Sequence, residues 1–450
     1  MSQASARVMT REATQAILDK VVKLSKADKT QATINSSWTG NTRFAANQMS
    51  TSGSVENATL NVQCWFGKRR AGVATNDLSD TGLETAVRKA EALARISPED
   101  PEDMPLLPAQ TYPAVSSYFD STASSTAEAR ARAAMTALDV TRKSGDLDAA
   151  GFLVLGAQSQ AVANSAGLFA YYRSTNANYT LTARTKDGTG AGWAGADNDD
   201  WSKIDFAGVA TRAIEKARAS RSPVAIEPGR YTVILEPQAV GDLVQLLNGP
   251  FNARTNDEGR GAFTKEGGGN KLGEKVVDER VTILSDPNDP DLLGNPFDGE
   301  GFPLGRRVWI DKGVLTQLNY SRFWAQKQGK QPTGNSSTFK MVGGTTSLED
   351  MIKSTERGVL VTRLWYLRQV DPRTVLYTGL TRDGTFLIEG GKIARSVKNF
   401  RFNESPLFLL NNLEAMGPAQ RLAGTEAGGD IVVPTIKARD FNFTSLSDAV

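Results

Sequence analysis

Hydrophobic and polar positions in the first 220 residues follow two periods. Apolar residues between 13 and 24 recur on one helical face, which predicts a helix over about 10–26. Leu60, Val62 and Cys64 alternate with polar neighbours, the pattern of a half-buried strand. The same two patterns predict helices over about 81–96, from Ser125 to Gly145 and from Asp205 to about 219, and strands over 151–185.

The second half of the chain has shorter elements separated by long loops. Tyr231–Leu235 is typical of a strand, and Pro237 stands where it can open a helix that runs to Asn248. Glycine-rich loops over 258–273 and 285–305 follow. Beyond them we expect short strands joined by tight turns and a few short helices.

These patterns predict an α+β protein of two domains, 1–222 and 223–450, joined near 221–229. The N-terminal domain is expected to be a sheet with flanking helices. The C-terminal domain is expected to be β-rich and barrel-like or sandwich-like, with short helices.

Two glycine-containing stretches are predicted to be loops. Residues 67–72 are interpreted as a hairpin loop whose three charges face solvent. Residues 188–195 are dense in glycine but lack the Gly-Lys-Ser/Thr ending that a phosphate-binding loop needs. We therefore expect a mobile loop there and no nucleotide site.

Charge and hydropathy narrow the classes of function. The 450 residues carry 52 basic and 50 acidic side chains, a net charge of +2, which argues against a strongly polyanion-binding protein. No run of about 18 apolar residues is present, so no membrane-spanning helix is expected. The first residues lack the apolar segment of a signal peptide. The prediction is a cytoplasmic protein without a membrane partner.

Two residue counts limit the chemistry. The sequence contains no histidine and one cysteine, Cys64, which excludes a Ser–His–Asp triad and a Cys-cluster metal site. Oxygen ligands alone would favour magnesium, calcium or manganese over zinc. With no histidine and one cysteine available as ligands, no metal site and no cofactor are predicted from the sequence.

Several stretches of the second half form an ordered series. They are a strand and helix over 229–250, Phe297–Pro303 (FDGEGFP), Asp311–Leu315 (DKGVL), Gln331–Asn335 (QPTGN), Gly358–Val361 (GVLV) and Leu387–Ile393 (LIEGGKI). In this order and spacing they resemble the TldD/PmbA family, peptidases also called modulators of DNA gyrase. The N-terminal half is similar to that family more weakly.

The resemblance implies a His-Glu-x-x-x-His zinc motif on the helix after the first of these strands. Alignment from Val233 places the two histidine positions at Gln245 and Pro250 and the general base at Leu246. A glutamine amide is a poor zinc ligand, proline has no side-chain donor atom and leucine cannot move protons. The family's later cysteine ligand is also missing, so no catalytic residue and no zinc are predicted at these positions.

The branch that lacks the motif is the PmbA/TldE type, whose members pair with a zinc-bearing TldD-type subunit. The resemblance thus implies a non-catalytic member that acts in proteolysis or peptide maturation, binds extended peptide and forms a homodimer or heterodimer. Asn335, Gly343 and Gly344 are the predicted substrate-binding residues; the two glycines follow a predicted strand and are expected near a sheet edge where peptide could pair. Ser336 stands where the family often has arginine.

Two other functions remain open from the residues. Asp298 and Glu300, two positions apart, could form a carboxylate dyad for metal-independent hydrolysis. A nucleic-acid or gyrase-associated binding module is the other alternative, suggested by the family's older name. Acidic neighbours offset the basic residues between 254 and 307, so nucleic acid is an unlikely partner in this interpretation.

Overall fold

The computed structural model describes residues 7–336, 338–426, 428 and 430–447. The N-terminal half holds an antiparallel six-stranded sheet in the order β3-β2-β1-β4-β5-β6. Its strands are β1 Lys29–Ala45, β2 Gln48–Phe66, β3 Arg69–Thr75, β4 Leu147–Asn164, β5 Phe169–Thr185 and β6 Ala191–Asn198. Its helices are α1 Arg11–Leu24, α2 Asp80–Ile96, α3 Asp120–Ala123, α4 Ala127–Ser144 and α5 Phe206–Ala219.

Helices cover one face of this sheet. On β1 every second side chain is buried, including Ile34 and Trp38, as the alternating pattern of a one-sided sheet requires. Ile34 packs in a core with α1 and α2, and Trp38 in a core with α4 and α5. Thr126, and not the predicted Ser125, caps α4 by accepting from the Ala129 amide. Gly145 ends that helix, as predicted.

The opposite face of the N-terminal sheet is polar and, in its central part, uncharged. Register places on that face a set of amide and hydroxyl side chains that are half-exposed or exposed. We call it the amide face; its members are Asn35, Ser37, Thr39 and Asn41 on β1, Asn57, Thr59 and Asn61 on β2, Gln158 and Gln160 on β4, and Asn176 on β5.

The C-terminal half is built on a larger mixed sheet of 13 strands. The strands are β7 Gly229–Leu235, β8 Ile283–Ser285, β9 Arg307–Asp311, β10 Val314–Leu315, β11 Phe339–Met341, β12 Arg357–Val361, β13 Leu364–Asp371, β14 Leu376–Thr381, β15 Thr385–Glu389, β16 Lys392–Ser396, β17 Phe400–Glu404, β18 Leu413–Arg421 and β19 Ile431–Leu446. The helices are α6 Pro237–Val244, α7 Ala253–Asp257, α8 Arg322–Gln328, α9 Leu348–Lys353 and α10 Pro406–Asn411.

β19 organises this half because it pairs with β7, β11, β17 and β18. The predicted α+β class is confirmed, with a helix-flanked N-terminal sheet and a β-rich C-terminal half that carries short helices. Since α5 ends at Ala219 and β7 begins at Gly229, we propose 1–222 and 223–450 as the two domains.

Three local predictions were wrong. Residues 69–72 belong to β3, because Gly67 adopts a φ of 57° and closes a tight turn with Lys68. Residues 191–195 lie in β6 rather than in a loop; small residues are needed there, since a Cβ on Gly192 would contact the α5 backbone. The helix that begins at Pro237 ends at Val244 and continues as a 3-10 turn over Gln245–Leu247.

The two halves contact each other through both charge and apolar packing. Arg421 of β18 inserts between Asp197 and Asp199 at the end of β6. Phe297 joins an apolar cluster of the N-terminal half, with its ring 5.2 Å from that of Tyr112. In the described part of the chain, no helix is long and apolar enough to cross a membrane.

Candidate functional site

The three degenerate zinc-motif positions lie at the wall of one cleft. Val240, Leu243 and Val244 of α6, with Leu247, pack into the C-terminal core and fix the rotation of this segment. Gln245 is buried and Leu246 and Pro250 are half-buried, and all three line the cleft.

The cleft measures about 400 Å³. One wall is the 245–250 segment, a second is the loop after α7, and a third is the β13–β14 hairpin. The lining residues are Gln245, Leu246, Asn248, Gly249, Pro250, Thr255, Arg260, Gly261, Ala262, Gln369, Pro372, Tyr377 and Gly428. Their polar groups are amides, hydroxyls and one guanidinium, and none of them is a carboxylate or a thiol.

Asn256 connects two of the segments that line the cleft. Its side chain is fully buried, its Nδ2 donates to the Pro250 carbonyl at 2.7 Å, and its Oδ1 accepts from the Phe263 amide at 2.8 Å. A Cβ on Gly261 would collide with this side chain. The loop that carries Arg260 is therefore tied to the segment that carries Pro250.

Charge at the cleft is balanced by neighbouring carboxylates. Arg260 donates to Glu258 at 2.5 Å, and Glu258 also accepts from Arg254 at 2.9 Å. These two hydrogen bonds lower the pKa of the Glu258 carboxyl. Arg254 in turn pairs with Glu102 of the N-terminal half at 2.7 Å. The rim is thus a charged network that joins the two halves.

On the third wall, Gln369 Nε2 donates to the Tyr377 hydroxyl at 3.3 Å. Burial raises the pKa of Tyr377, so its hydroxyl stays neutral at physiological pH. Together with Gln245, these groups present donors and acceptors without charge. Such a surface can hydrogen-bond peptide groups, whereas it offers neither a base for water activation nor a good zinc ligand.

The residues at the motif positions do not fit zinc. In the part of the chain that the structure describes, no three Cys, Asp or Glu side chains converge in an arrangement that could hold a metal ion. The absence of metal in the protein itself stays a prediction.

Asp298 and Glu300 make contacts with different parts of the molecule. Asp298 Oδ1 accepts from the amides of Glu300 and Phe302, both at 3.0 Å, and Oδ2 accepts from the Asn335 amide at 3.4 Å. Burial raises the pKa of Asp298. Glu300 is exposed and pairs with Arg322 at 3.2 Å. The structure thus brings Asp298 and Asn335 together, while Glu300 faces α8.

Gly343 and Gly344 lie against β18 instead of beside an open edge. The Gly344 amide donates to the Gly417 carbonyl at 2.7 Å, and the Thr346 amide donates to the Met416 carbonyl at 3.0 Å. A Cβ on Gly343 would stand 2.5 Å from the Ala419 nitrogen. Neither glycine lines the cleft, nor do Asp298, Glu300 and Asn335.

Sequence reasoning missed Arg260, Gln369, Tyr377 and the supporting Asn256. They come from segments up to about 130 residues from the motif positions, and each residue type is common on protein surfaces. Only the pairing of β13 with β14 and the fold of the 250–263 loop reveal that they share a cleft.

The chain thus combines a helix-flanked antiparallel sheet with a β19-centred mixed sheet, and models of a metallopeptidase family match both parts. The PmbA/TldA metallopeptidase central domain matches residues 115–221 and the C-terminal domain matches residues 228–445. These matches cover well over half of the chain, which belongs to the PmbA/TldD metallopeptidase family. The resemblance drawn from the motifs is confirmed.

Among named proteins, the chain is 28% identical over 291 residues to a "Metalloprotease" of Methanothermobacter thermautotrophicus, covering 59% of this chain and 61% of that protein. It is 26% identical over 172 residues to "Metalloprotease PmbA" of Escherichia coli O157:H7, with 37% of each chain covered. The matched part thus spans less than two thirds of these relatives.

Two solved structures share the fold across nearly the whole chain. TldE from Thermococcus kodakarensis superposes with a TM-score of 0.85 at 19% identity, covering 95% of this chain and 99% of its own. A putative modulator of a DNA gyrase from Thermotoga maritima gives a TM-score of 0.85 at 17% identity, covering 96% and 100%.

Proposed function

We propose that this protein is a PmbA/TldE-like, non-catalytic member of its family that holds extended peptide in the cytoplasm and pairs with a zinc-bearing TldD-type subunit. One observation carries the proposal: a cleft lies at the zinc-motif positions, and Gln245, Leu246 and Pro250 give this wall of it no charge and no good zinc ligand. A peptide main chain is itself neutral and carries a donor and an acceptor at each residue. Amide and hydroxyl groups in the cleft can form hydrogen bonds with this main chain whatever the side chains of the peptide are.

The alternative of a carboxylate dyad has less support. Asp298 Oδ1 and Oδ2 accept three backbone amides that close its own loop and the Asn335 loop, and Glu300 is turned toward Arg322. A water-activating dyad needs two carboxyl groups that share a proton. Among the residues that the structure describes, no contact favours a nucleic-acid module.

A peptidase assay with an unstructured peptide tests the proposal. The isolated protein should leave the peptide intact and should contain no stoichiometric zinc by elemental analysis. Addition of a TldD-type subunit should give hydrolysis that a chelator abolishes. Hydrolysis by the isolated protein, with or without sensitivity to chelator, would overturn the proposal.

Peptide binding by the cleft is tested by fluorescence anisotropy with a labelled neutral peptide. Gln369→Ala and Tyr377→Phe remove a donor and a hydroxyl from the wall and should each weaken binding about 5- to 10-fold, since one hydrogen bond contributes roughly 1 kcal/mol. Gln326→Ala, at an exposed position on α8, is the matched control and should leave binding unchanged. Equal affinities for all four proteins would exclude the cleft as the peptide site.

A further inference from the structure

A second cavity, of about 260 Å³, lies between the two halves of the chain and shares no lining residue with the cleft. The N-terminal sheet, the proline-containing connector after α2 and the C-terminal half each contribute a wall. We call it the junction pocket; its walls are formed by Gln31, Gln63, Trp65 and Arg70 of the sheet, by the connector between 100 and 106, and by Glu300 and 321–323 of the C-terminal half.

Hydrogen bonds within the chain hold these walls in place. Arg322 of α8 donates to the Pro105 carbonyl at 2.6 Å and to Glu300 at 3.2 Å, so it joins the connector to the C-terminal wall. Lys29 Nζ donates to both carboxylate oxygens of Asp103 at 2.6 Å, which joins the connector to β1. The junction pocket is therefore formed before any ligand arrives, as binding sites for small molecules usually are.

Two side chains of opposite charge offer hydrogen-bonding groups that the chain does not use. Arg70 is 57% exposed, and its Nε lies 3.1 Å from Asp100; among the described residues its two terminal amino groups have no partner. Glu300 is 60% exposed, and its Oε1 has no partner in the same part of the chain. A guanidinium binds a carboxylate through two parallel hydrogen bonds, and a carboxylate accepts from an ammonium group.

Charge in and around the junction pocket is balanced. Its four carboxylates are matched by four cations of the same chain. In the order Asp100, Glu102, Asp103 and Glu300, the carboxylates pair with Arg70, Arg254, Lys29 and Arg322. A ligand with a single charge would upset this balance in a partly enclosed site, where an unpaired charge is costly. A ligand that carries one charge of each sign would preserve it.

We propose that the junction pocket binds a short peptide with both ends free, a zwitterion of about two residues. Its carboxylate contacts Arg70 and its ammonium group contacts Glu300. The amides of Gln31 and Gln63, directly opposite each other on β1 and β2, are the partners of its peptide group. Sites for drug-sized molecules measure roughly 300–1,000 Å³, so a ligand of this smaller size suits the cavity. This site goes beyond the proposed function, because it does not depend on the cleft.

Isothermal titration calorimetry with the full chain and three peptides tests the proposal. Alanylalanine should bind with one-to-one stoichiometry. N-acetyl-alanylalanine, which lacks the ammonium group, and alanylalanine amide, which lacks the carboxylate, should each bind about tenfold more weakly or less. Equal affinity for the three peptides would overturn the proposal, as would the absence of alanylalanine binding both in calorimetry and in saturation-transfer NMR.

Variants assign each end of the peptide to its side chain. Arg70→Gln should abolish the preference for alanylalanine over its amide, and Glu300→Gln should abolish the preference over the acetylated form. A variant that weakens all three peptides equally would contradict the assigned contacts, because a disturbed wall has no reason to distinguish the two ends.

Matched controls come from ion pairs elsewhere on the surface. Arg395→Gln and Glu56→Gln alter side chains that are 56% and 61% exposed and paired as Arg70 and Glu300 are, and both variants should keep the wild-type affinities. Tyr377→Phe in the cleft should also leave alanylalanine binding unchanged. Loss of alanylalanine binding in Tyr377→Phe would place the dipeptide in the cleft and overturn the junction pocket as its site.

Discussion

Two buried carboxyl groups titrate near neutral pH in this histidine-free chain. Asp242 on α6 is 1% exposed; its oxygens accept from the Glu426 amide at 2.9 Å and the Leu364 amide at 3.2 Å. Glu404 on β17 accepts from the amides of Ser405 and Asn442. Burial raises the pKa of each to about 7. The absence of histidine alone would predict a free energy of unfolding that hardly changes between pH 5 and 8. The sequence does not show which carboxyl groups are buried, so it does not reveal these two.

The free energy of unfolding should fall as pH rises from 5 to 8. Below about pH 7 the folded protein keeps protons on Asp242 and Glu404 that the unfolded chain, with ordinary carboxyl pKa values, releases above about pH 4 to 5. The contribution of each group is full below about pH 4, is lost at on the order of 1.4 kcal/mol per pH unit as pH rises toward the folded pKa of about 7, and changes no further above it. Denaturant titrations at pH 5, 6, 7 and 8 measure the slope.

Asp242→Asn and Glu404→Gln keep the shape of the protonated side chains and remove the titrating group. Each variant should reduce the slope, and the double variant should keep a smaller slope below about pH 6 that comes from Asp197, whose pKa burial raises to about 6. Asp139→Asn, at an exposed carboxyl on α4, should retain the wild-type slope. A wild-type profile that is flat, or that rises with pH, would show that these carboxyl groups are ionised in the folded protein.

At the scale of elements, a substitution at the glycines after β11 distinguishes a structural role of these residues from a role in peptide binding. A Cβ on Gly343 would press on the Ala419 nitrogen and on the Gly417 carbonyl at 2.8 Å. Gly343→Ala should therefore separate this segment from β18 and lower the free energy of unfolding by about 1–3 kcal/mol. Thermal or denaturant unfolding measures the change.

Gly249→Ala is the matched control, because no atom lies within 4 Å of the Cβ position at that cleft residue. It should change stability by less than about 0.5 kcal/mol. If Gly343→Ala unfolds like the wild type but binds peptide more weakly, the predicted substrate-binding role of Gly343 gains support over the structural one.

Element prediction succeeded where local chemistry decides the outcome. Gly145 and Asp205 bound helices through contacts with the chain next to them, and those helix ends lie as predicted, whereas the cap of α4 is Thr126 instead of the predicted Ser125. It failed over 191–195, where glycine makes a poor local strand signal. There the neighbouring strand β5 and helix α5 impose the extended conformation, and both require small residues.

At the scale of the whole molecule, Arg421 is the main polar link between the two halves. Its guanidinium is 11% exposed and donates to Asp197 at 2.8 Å and to Asp199 at 2.9 and 3.0 Å. Arg421→Ala would leave two buried carboxylates without a cation, and should lower the free energy of unfolding by about 3–5 kcal/mol at pH 7.5. Denaturant unfolding measures it.

Lys353→Ala removes an exposed ion pair with Glu349 and serves as the control, with an expected change of less than about 1 kcal/mol. The loss in Arg421→Ala should shrink at pH 4, because burial raises the pKa of Asp197 to about 6 and its carboxyl group is protonated there. An equal loss at both pH values would show that packing of the arginine stem, and not its charge, joins the halves.

Contacts between residues that are distant in the sequence also limited prediction of the candidate site. The register from Val233 located Gln245, Leu246 and Pro250 within one segment, and the structure places all three at one cleft. Gln369 and Tyr377 reach that cleft only through β13 and β14, whose pairing is irregular and has no local signature. A single sequence can indicate which chemistry is missing from a site, but not which distant side chains complete it.

The amide face has a consequence for how anything could adhere to it. A surface without charge in its central part holds no condensed counterions, so contact there releases none, and the strength of that contact would hardly vary with salt. Its amide and hydroxyl side chains also offer little apolar area from which displaced water could give a large entropy gain. A molecule that lies on Asn35, Ser37 and Gln158 must replace each hydrogen bond that these side chains make to water. The spacing of donors and acceptors on that molecule therefore decides whether it binds there.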